Sequence, residues 1–501
     1  MGIISGNNFI RMLTDTEIDM IYESALAILD DPGFQFNSPA MLDALRDKGA
    51  RVDYAANMAR LPRQLAEEAL SIAAREEAER IAKMNGGFYP ENCLTFSWHS
   101  AHTDASPRLA IAMGGGCPQY LDYENNLKRD ATYHDFLRMV RLGDALPEVK
   151  AVGNPLHIVV DENGNRMAPR MMAIKGAAMI AKNTSKPGIS VLLHPEQLDF
   201  LIEIGVVVKG SWEAYKRNPV FINNNDTVTP LTINSHECDI IAALARKGLP
   251  VMIIPMPLTG VNAPVTLASA VMLGVAEILA TWTAVKALNP DAPVEAGIIT
   301  GAMDVRTGAA SFSTPECIMQ DVAVAQIFRH RLKTRCSVGI GFNDASYPGA
   351  ASAMHRCFKM MAAAACGEVN FPIGILNAGV VYSPEQAMMD LELARAAGRF
   401  MRGFEVSAET LAVDLIREAG PGAMFFDREH TVENMRGELW VPDIFTRSKQ
   451  GELRDEMRRD MVLLAYEKWK AVLAAAEPYH IEDYKAREID RIVAAAERKL
   501  T

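Results

Sequence analysis

The sequence predicts an α/β chain organised around a closed (β/α)8 TIM barrel, and three observations carry that prediction. Between Pro118 and Gly403 one unit recurs eight times: a short apolar strand, a turn and an amphipathic helix. The strands are continuous apolar runs, as expected for a parallel sheet covered by helices on its faces. Eight units can close on themselves, and 501 residues leave room for one barrel of roughly 250–300 residues with flanking segments.

Taken in order, residues 1–118 form an N-terminal helical and hairpin segment. A capping signal, Thr14-Asp-Thr-Glu17, opens a helix through Ile18, Ile21, Ala25 and Leu29, and Asp31-Pro-Gly33 stops it. Leu94-Thr-Phe-Ser-Trp98 and Leu109-Ala-Ile-Ala-Met113 read as the arms of a hairpin whose polar tip is 99–107. Gly114-Gly-Gly116 precedes the first expected strand and is therefore read as a hinge; a phosphate cradle would join a strand to a helix. The barrel, 119–403, has strands at Gln119–Tyr123, Val149–Gly153, Gly188–Leu193, Val220–Asn223, Val251–Pro255, Val294–Ile299, Ser337–Ile340 and Val369–Ile375. Helical patterns such as Tyr133–Val140, Glu196–Ile202 and Cys238–Leu244 lie between them. A C-terminal extension, 404–501, begins as a short mixed segment and ends in long charged helices, an appendage of the kind that packs on the barrel or on a second copy. A homo-oligomer is the expectation.

Composition narrows the class. A net charge of −11 without a basic run argues against nucleic acid. Residues 1–14 lack the features of a secretory signal, and the longest apolar window, 264–288, carries Glu277 and Lys286 and reads as a barrel helix. Seven scattered cysteines without CxxC pairing suit a reducing compartment, so a cytoplasmic protein with no membrane segment is expected.

In a barrel the chemistry belongs to the loops at the strand C-termini. Those loops offer Asp122, Tyr123, Glu124, Asn154, His194, Asn223 to Asp226, Met256, Thr259, Thr300, Asp304, Phe342 to Asp344, Tyr347 and Asn377. Amides and carboxylates dominate, with no Lys or Arg clamp, which disfavours a phosphorylated substrate. His99, His102 and Asp104, and His236 with Cys238, lack structural-zinc spacing, so no metal site is expected. His355, one or two turns into the seventh helix, either leans toward the mouth or is an ordinary helix histidine. Asp104 belongs to a site only where the hairpin tip covers the mouth.

Asn262-Ala-Pro-Val-Thr-Leu-Ala-Ser-Ala270, Ala276-Glu-Ile-Leu-Ala280, Arg428-Glu-His-Thr431 with Arg436, Glu438, Trp440 and Pro442, and the opening Leu13–Gly33 resemble the trimethylamine methyltransferase (MttB) family. The likeness is nearest to its branch without pyrrolysine, which includes glycine betaine methyltransferases, and it spans essentially the whole chain. Asp443-Ile-Phe-Thr-Arg447 departs from it, since relatives usually keep an Asp-Arg pair there. The resemblance implies a barrel that moves a methyl group from a quaternary amine to the reduced cobalt of a corrinoid (cobalamin) carried by a partner protein, with Asp104 and His355 as site residues. No Asp-x-His-x-x-Gly occurs in the chain, so the corrinoid would come from that partner. A quaternary cation would meet aromatic faces from among Phe96, Trp98, Phe342, Tyr347 and Phe371, and a substrate carboxylate would meet His355, Asn224 or Asn377. The alternatives are a barrel lyase, which would need a Schiff-base Lys or a metal at the mouth, and a non-catalytic binder of quaternary amines.

Overall fold

The computed structural model describes residues 11–84, 110–188, 190–339, 341–365, 370–445 and 460–500. The first helix, Asp15–Asp30, starts as its capping box requires: Thr14 Oγ1 accepts from the Glu17 N–H, and the Glu17 carboxylate takes the Thr14 N–H. Its apolar positions, Ile18, Ile21, Tyr22, Ala25, Leu26 and Leu29, recur every three or four residues and are all buried. Together with Pro39–Asp47 and Arg63–Met84 this helix packs on Leu267–Leu288. That contact explains why Leu267–Leu288, the one described helix long and apolar enough to cross a membrane, is so largely apolar: 83% of its apolar window is buried inside the protein.

The chain is mixed α/β, with two parallel sheets at its centre. One has the order Asn370–Pro372, Ala110–Met113, Val149–Val152; the other runs Ser337–Val338, Val294–Ile298, Val251–Ile254, Asn224–Asp226. Single parallel bridges, Val152 to Pro187 and Ser190 to Asn223, join them through the segment expected as the third strand. Among the described residues no pairing connects Val338 to Asn370.

Expectation and structure part at the first strand. Gln119–Asp122 forms an antiparallel hairpin with Leu127–Asp130, reversed at Asn126 with φ +49, and lies beside Val381–Tyr382 outside the two central sheets. The central position belongs to Ala110–Met113, the residues read as a hairpin arm. Ile111, Ala112 and Met113 are all buried, as a strand covered on both faces must be, whereas Leu127 across the hairpin is exposed. Residues 92–109 of the expected hairpin lie outside the described residues. The fourth strand is also displaced, to Asn224–Asp226 from the predicted Val220–Asn223.

Helices Met461–Ala475 and Asp483–Leu500 of the C-terminal extension pack back on the body. The first lies against Pro384–Arg402, where Trp469 Nε1 donates to Glu385 Oε1 at 2.9 Å, and the second against Pro169–Asn183 and Leu198–Lys209.

Beneath these surface helices lies a fully buried ion pair. Arg356 Nε donates to Asp390 Oδ1 at 2.9 Å, Gln386 Nε2 donates to the same oxygen at 2.7 Å, and the Gly374 N–H reaches Oδ2 at 2.9 Å. A second Arg356 nitrogen reaches the Pro372 carbonyl. The pair thereby ties the helices Ala350–Ala365 and Pro384–Arg402 to the end of the eighth parallel segment. Asp390→Ala should destabilise the fold by about 3–5 kcal/mol, because it leaves a buried guanidinium uncompensated. The double variant Arg356→Met/Asp390→Leu should recover most of that loss in urea unfolding, and a double variant as unstable as the single one would show that packing, not charge, holds this region.

Candidate functional site

The C-terminal ends of the parallel segments surround a cavity of about 270 Å³. Strand alternation decides what faces it, since side chains two residues apart share a face. Ala112, Gly114 and Gly116 continue the first strand; Asn224 and Asp226 come from the fourth; Met252, Ile254 and Met256 from the fifth. Asn154 and His157, Val191, Ile298 and Ile299, Ser337 with Val338 and Phe342, and Pro372 with Ile375 supply the other walls. Every parallel segment contributes.

The polar groups are few and mostly acceptors. Asn154 Oδ1 and Asn224 Oδ1 are buried and carry no hydrogen bond. Orphaned buried amide oxygens cost roughly 1–3 kcal/mol each, so they mark where a ligand or water belongs. Asp226 supplies the carboxylate. The residue is itself exposed, but the protein packed around its carboxyl desolvates it and pushes it up to about 6. Behind it, Glu237 is pushed up to about 8, first by burial and then by the charge of Asp226, so near neutrality it is mostly the uncharged acid. Burial lowers the pKa of His157, which favours neutral imidazole. Among the described residues no Lys or Arg lines the cavity.

The rigidity of this wall is built from the fourth segment. Asn223 and Asn225 point away from the cavity and form an amide ladder: Asn223 Oδ1 accepts from the Leu192 N–H at 2.8 Å, Asn223 Nδ2 donates to Asn225 Oδ1 at 2.8 Å, and Asn225 Nδ2 donates to the Met252 carbonyl at 2.8 Å. The strand between third and fifth neighbours is thus locked in register, and Asn224 and Asp226 are aimed inward. Gly116 makes the opposite wall possible. It has φ +59, and a Cβ there would lie 3.0 Å from His157 Nε2, so only glycine lets the imidazole sit against the backbone. The glycine run therefore follows the first central strand and lines the cavity, which corrects its reading as a hinge ahead of the barrel.

The residues singled out from sequence are distributed unevenly. Asn224 and Phe342 line the cavity. Phe371 does not; its ring is wholly buried in the core. Asn377 accepts from the Ser346 hydroxyl at 3.2 Å, outside the cavity wall. Tyr347 is half-exposed in the electrostatic neighbourhood of Tyr123, Glu385 and Asp460, and burial raises its pKa. His355 does not line the cavity but places Nδ1 3.3 Å from Asn343 Oδ1, next to Phe342. Phe96, Trp98 and Asp104 lie outside the described residues. Asp122 and Tyr123 belong to the outer hairpin, because the strand that carries them is not a central one. Asp344 is engaged in structure: its carboxylate takes the Ser311 hydroxyl and the Phe312 and Ser313 N–H groups.

Asn154 and Asp226 were among the loop candidates but were not singled out; the two-residue period through Ile222 and Asn224 selects Asp226, whereas Asn154, three residues past the inward-facing Ala151, falls off that period. His157, three residues beyond Asn154, gave no such signal.

A family model described as trimethylamine methyltransferase (MTTB) matches residues 2–501. Glycine betaine methyltransferase of Desulfitobacterium hafniense (strain Y51) is 25% identical over 473 residues, 93% of each chain. Trimethylamine methyltransferase MttB of Desulfitobacterium hafniense (strain DSM 10664 / DCB-2) is 25% identical over 485 residues, 97% of this chain and 93% of that one. Among solved structures, the Methanosarcina barkeri monomethylamine methyltransferase (MtmB) matches with a TM-score of 0.50 at 12% identity, over 97% of this chain and 87% of that one, a likeness of fold. With a match running from residue 2 to the last, the chain belongs to the trimethylamine methyltransferase (MTTB) family and is a methyltransferase.

Proposed function

We propose that the parallel segments form one closed (β/α)8 barrel and that its cavity holds a quaternary amine, glycine betaine or a relative of it, whose methyl group passes to the reduced cobalt of a corrinoid carried by another protein. The observation that carries this reading is the cavity's charge pattern: one carboxylate, two orphaned amide oxygens, apolar walls and no lining cation among the described residues. A ring of walls drawn from all eight segments supports closure, and the names of the relatives support the amine class.

The chemistry suits such a lining. A quaternary nitrogen has no N–H to donate, so its charge is met by the Asp226 carboxylate, by the amide oxygens of Asn154 and Asn224, and by the face of Phe342. The apolar walls of Ile254, Ile298 and Met252 exclude water from the methyl groups. The corrinoid supplies a nucleophile with an available electron pair when its carrier docks. In an in-line displacement the N–C bond breaks with its electrons left on nitrogen, while the new bond to the methyl carbon uses the acceptor's pair. The amine leaves neutral, so no general acid is needed.

Asp226 serves binding more than chemistry on this account. The ammonium charge fades as the methyl departs, so a nearby anion stabilises the bound substrate more than the transition state. His355 is a positioning residue, holding through Asn343 the segment that bears Phe342.

The test of the reading mixes the purified protein with reduced free or carrier-bound corrinoid and a panel of quaternary amines, and follows loss of the reduced-cobalt absorbance. Consumption with at least one amine is expected; binding without consumption would leave a binder, and neither would end the proposal. Asp226→Asn should raise KM about tenfold and leave kcat unchanged or higher, and a fall in kcat at constant KM would contradict the role given to Asp226. Because a quaternary amine does not titrate and the Asp226 carboxyl lies at about 6, affinity should strengthen about tenfold between pH 5 and pH 7 as the carboxylate forms. Calorimetric titration with tetramethylammonium checks this in the wild type and in Asp226→Asn, where the pH dependence should vanish. His355→Ala should lower kcat/KM by roughly ten- to a hundredfold at unchanged thermal midpoint; full activity in that variant would remove the residue from the site.

A further inference from the structure

A betaine carries two charges, and the cavity walls described so far meet only one of them. The ammonium has Asp226, two amide oxygens and the Phe342 ring. The carboxylate has no such set. Of the three residues that the sequence offered for it, His355 pairs with Asn343 away from the cavity and Asn377 takes the Ser346 hydroxyl, which leaves Asn224 alone on the wall. A carboxylate drawn from water into an apolar space is costly unless it meets a donor or a positive charge there. With no lysine or arginine among the described lining residues, that partner has to be of another kind.

His157 fits the need. It lines the cavity from the segment that follows the parallel strand Val149–Val152. Burial is the one influence on its imidazole, and neither a hydrogen bond nor a charge of the protein adds to it. Its place is nonetheless fixed. The His157 N–H donates to the Cys117 carbonyl at 2.9 Å, the Gly116 N–H donates to the Asn154 carbonyl at 2.8 Å, and a parallel bridge joins Cys117 to Leu156. The glycine run and the segment 154–157 are thus stitched together beside the ring, and Gly116 leaves the room that the ring fills. Neighbouring ionisable groups do not compete for the imidazole. The Cys117 thiol stays protonated, because burial pushes its pKa up, and Asp226 stands on a different strand. An imidazole held in place with no partner for its ring is a donor kept for what enters the cavity.

Given a cavity that holds a quaternary amine, on which this rests, we infer that His157 selects amines that carry a carboxylate, its imidazole taking up a proton and donating to the carboxylate while the ammonium lies against Asp226 and Phe342. An asparagine amide offers an N–H but never a charge, whereas an imidazole offers both. Neutral in the empty cavity, it takes a proton from water when a carboxylate arrives, because the anion stabilises the imidazolium. One proton enters with each betaine, and none moves in the methyl transfer itself. Each end of the betaine then meets a charge of opposite sign, and the bound state as a whole is neutral. A quaternary amine without a carboxylate leaves the imidazole uncharged and forgoes the bond.

Calorimetric titration of the full chain at pH 7 with glycine betaine and with tetramethylammonium tests this. Glycine betaine should bind at least about tenfold more tightly, the usual worth of a hydrogen bond to a charged group. Runs in two buffers of different ionisation enthalpy should show proton uptake with glycine betaine and not with tetramethylammonium. His157→Phe should lower the ratio of the two affinities about tenfold and abolish the uptake. His157→Gln, which keeps an N–H and cannot be charged, should abolish the uptake and retain part of the preference. Tetramethylammonium binding by each variant shows that its cavity is folded. Proton uptake equal for both ligands, a wild type that prefers tetramethylammonium, or an affinity ratio untouched by His157→Phe would overturn the role of His157 and leave the amine site standing. A wild type that binds neither ligand would end both.

Discussion

The cavity depends on one buried carboxylate that never enters it. Glu277, wholly buried on the helix Leu267–Leu288, accepts from the Thr227 hydroxyl at 2.5 Å, the Thr229 hydroxyl at 2.8 Å and the Leu231 N–H at 2.8 Å. These bonds favour its charged form, yet burial outweighs them and raises its pKa. What they fix is the path of the chain immediately after Asp226. Leu231 accepts in turn from the Gln35 N–H at 2.9 Å, and Thr232–Ile233 pairs in parallel with Gln35 and Phe36. The N-terminal segment, the buried helix and the strand end that bears the cavity's carboxylate are therefore a single mechanical unit. A capping box at Thr14 and an acid at the cavity belong to the same chain of contacts.

Much of this was legible in the amino-acid order, for physical reasons that also mark where legibility stops. Val251–Ile254 was readable because a strand buried on both faces is apolar at every position, and Val294–Ile298 because Glu295 is its one polar residue. The end of Asp15–Asp30 was readable because capping is a local interaction. The first strand was misplaced because Gln119–Asp122 and Ala110–Met113 are both short and rich in apolar side chains; which of them is central depends on pairing with Asn370–Pro372, more than 250 residues downstream. Pattern alone holds no record of so distant a partner. That one shift explains why Asp122 and Tyr123 fell away from the mouth and why the glycine run gained a wall. Asn154 and Asp226 were visible as residue types, but the surroundings that leave the Asn154 amide oxygen without a partner and raise the pKa of the Asp226 carboxyl are a property of the assembled fold. His355, Phe371 and Tyr347 show the converse: they were chosen for side-chain chemistry, His355 for a carboxylate and the two aromatics for a cation, and their depth and direction were not sequence properties.

The cavity's sign is as much a matter of where cations are absent as of where an acid stands. The chain does bury cations, but each described one is engaged on the helical side. Arg356 is held by Asp390, Lys286 donates to Glu76 and to the carbonyls of Pro290 and Ala292, and Lys359 donates to the Phe312 carbonyl at 2.6 Å with Asp321 at 3.8 Å. Thr300 adds a 2.6 Å bond to Asp321, so that carboxylate also serves structure. A buried charge with an open face would pull water or a counter-ion into the cavity; neutralising the cations within the helical layer leaves Asp226 as the charge that a ligand meets.

A single carboxylate is also a measured choice for a methyl donor whose charge disappears in the reaction. A ring of acids would hold the cation tightly and raise the barrier by the same interaction, because the product amine could not repay it. Apolar walls have the opposite bias: they are indifferent to the neutral amine and disfavour the charged reactant, which lowers the distance to the transition state but weakens capture. One acid with its carboxyl near 6, backed by the largely uncharged Glu237 in place of a second anion, sits between those limits. The raised Glu237 then has a use beyond packing. By staying protonated near neutrality it keeps the local charge at one, chiefly because Glu237 is buried and then because the charge of Asp226 stands beside it.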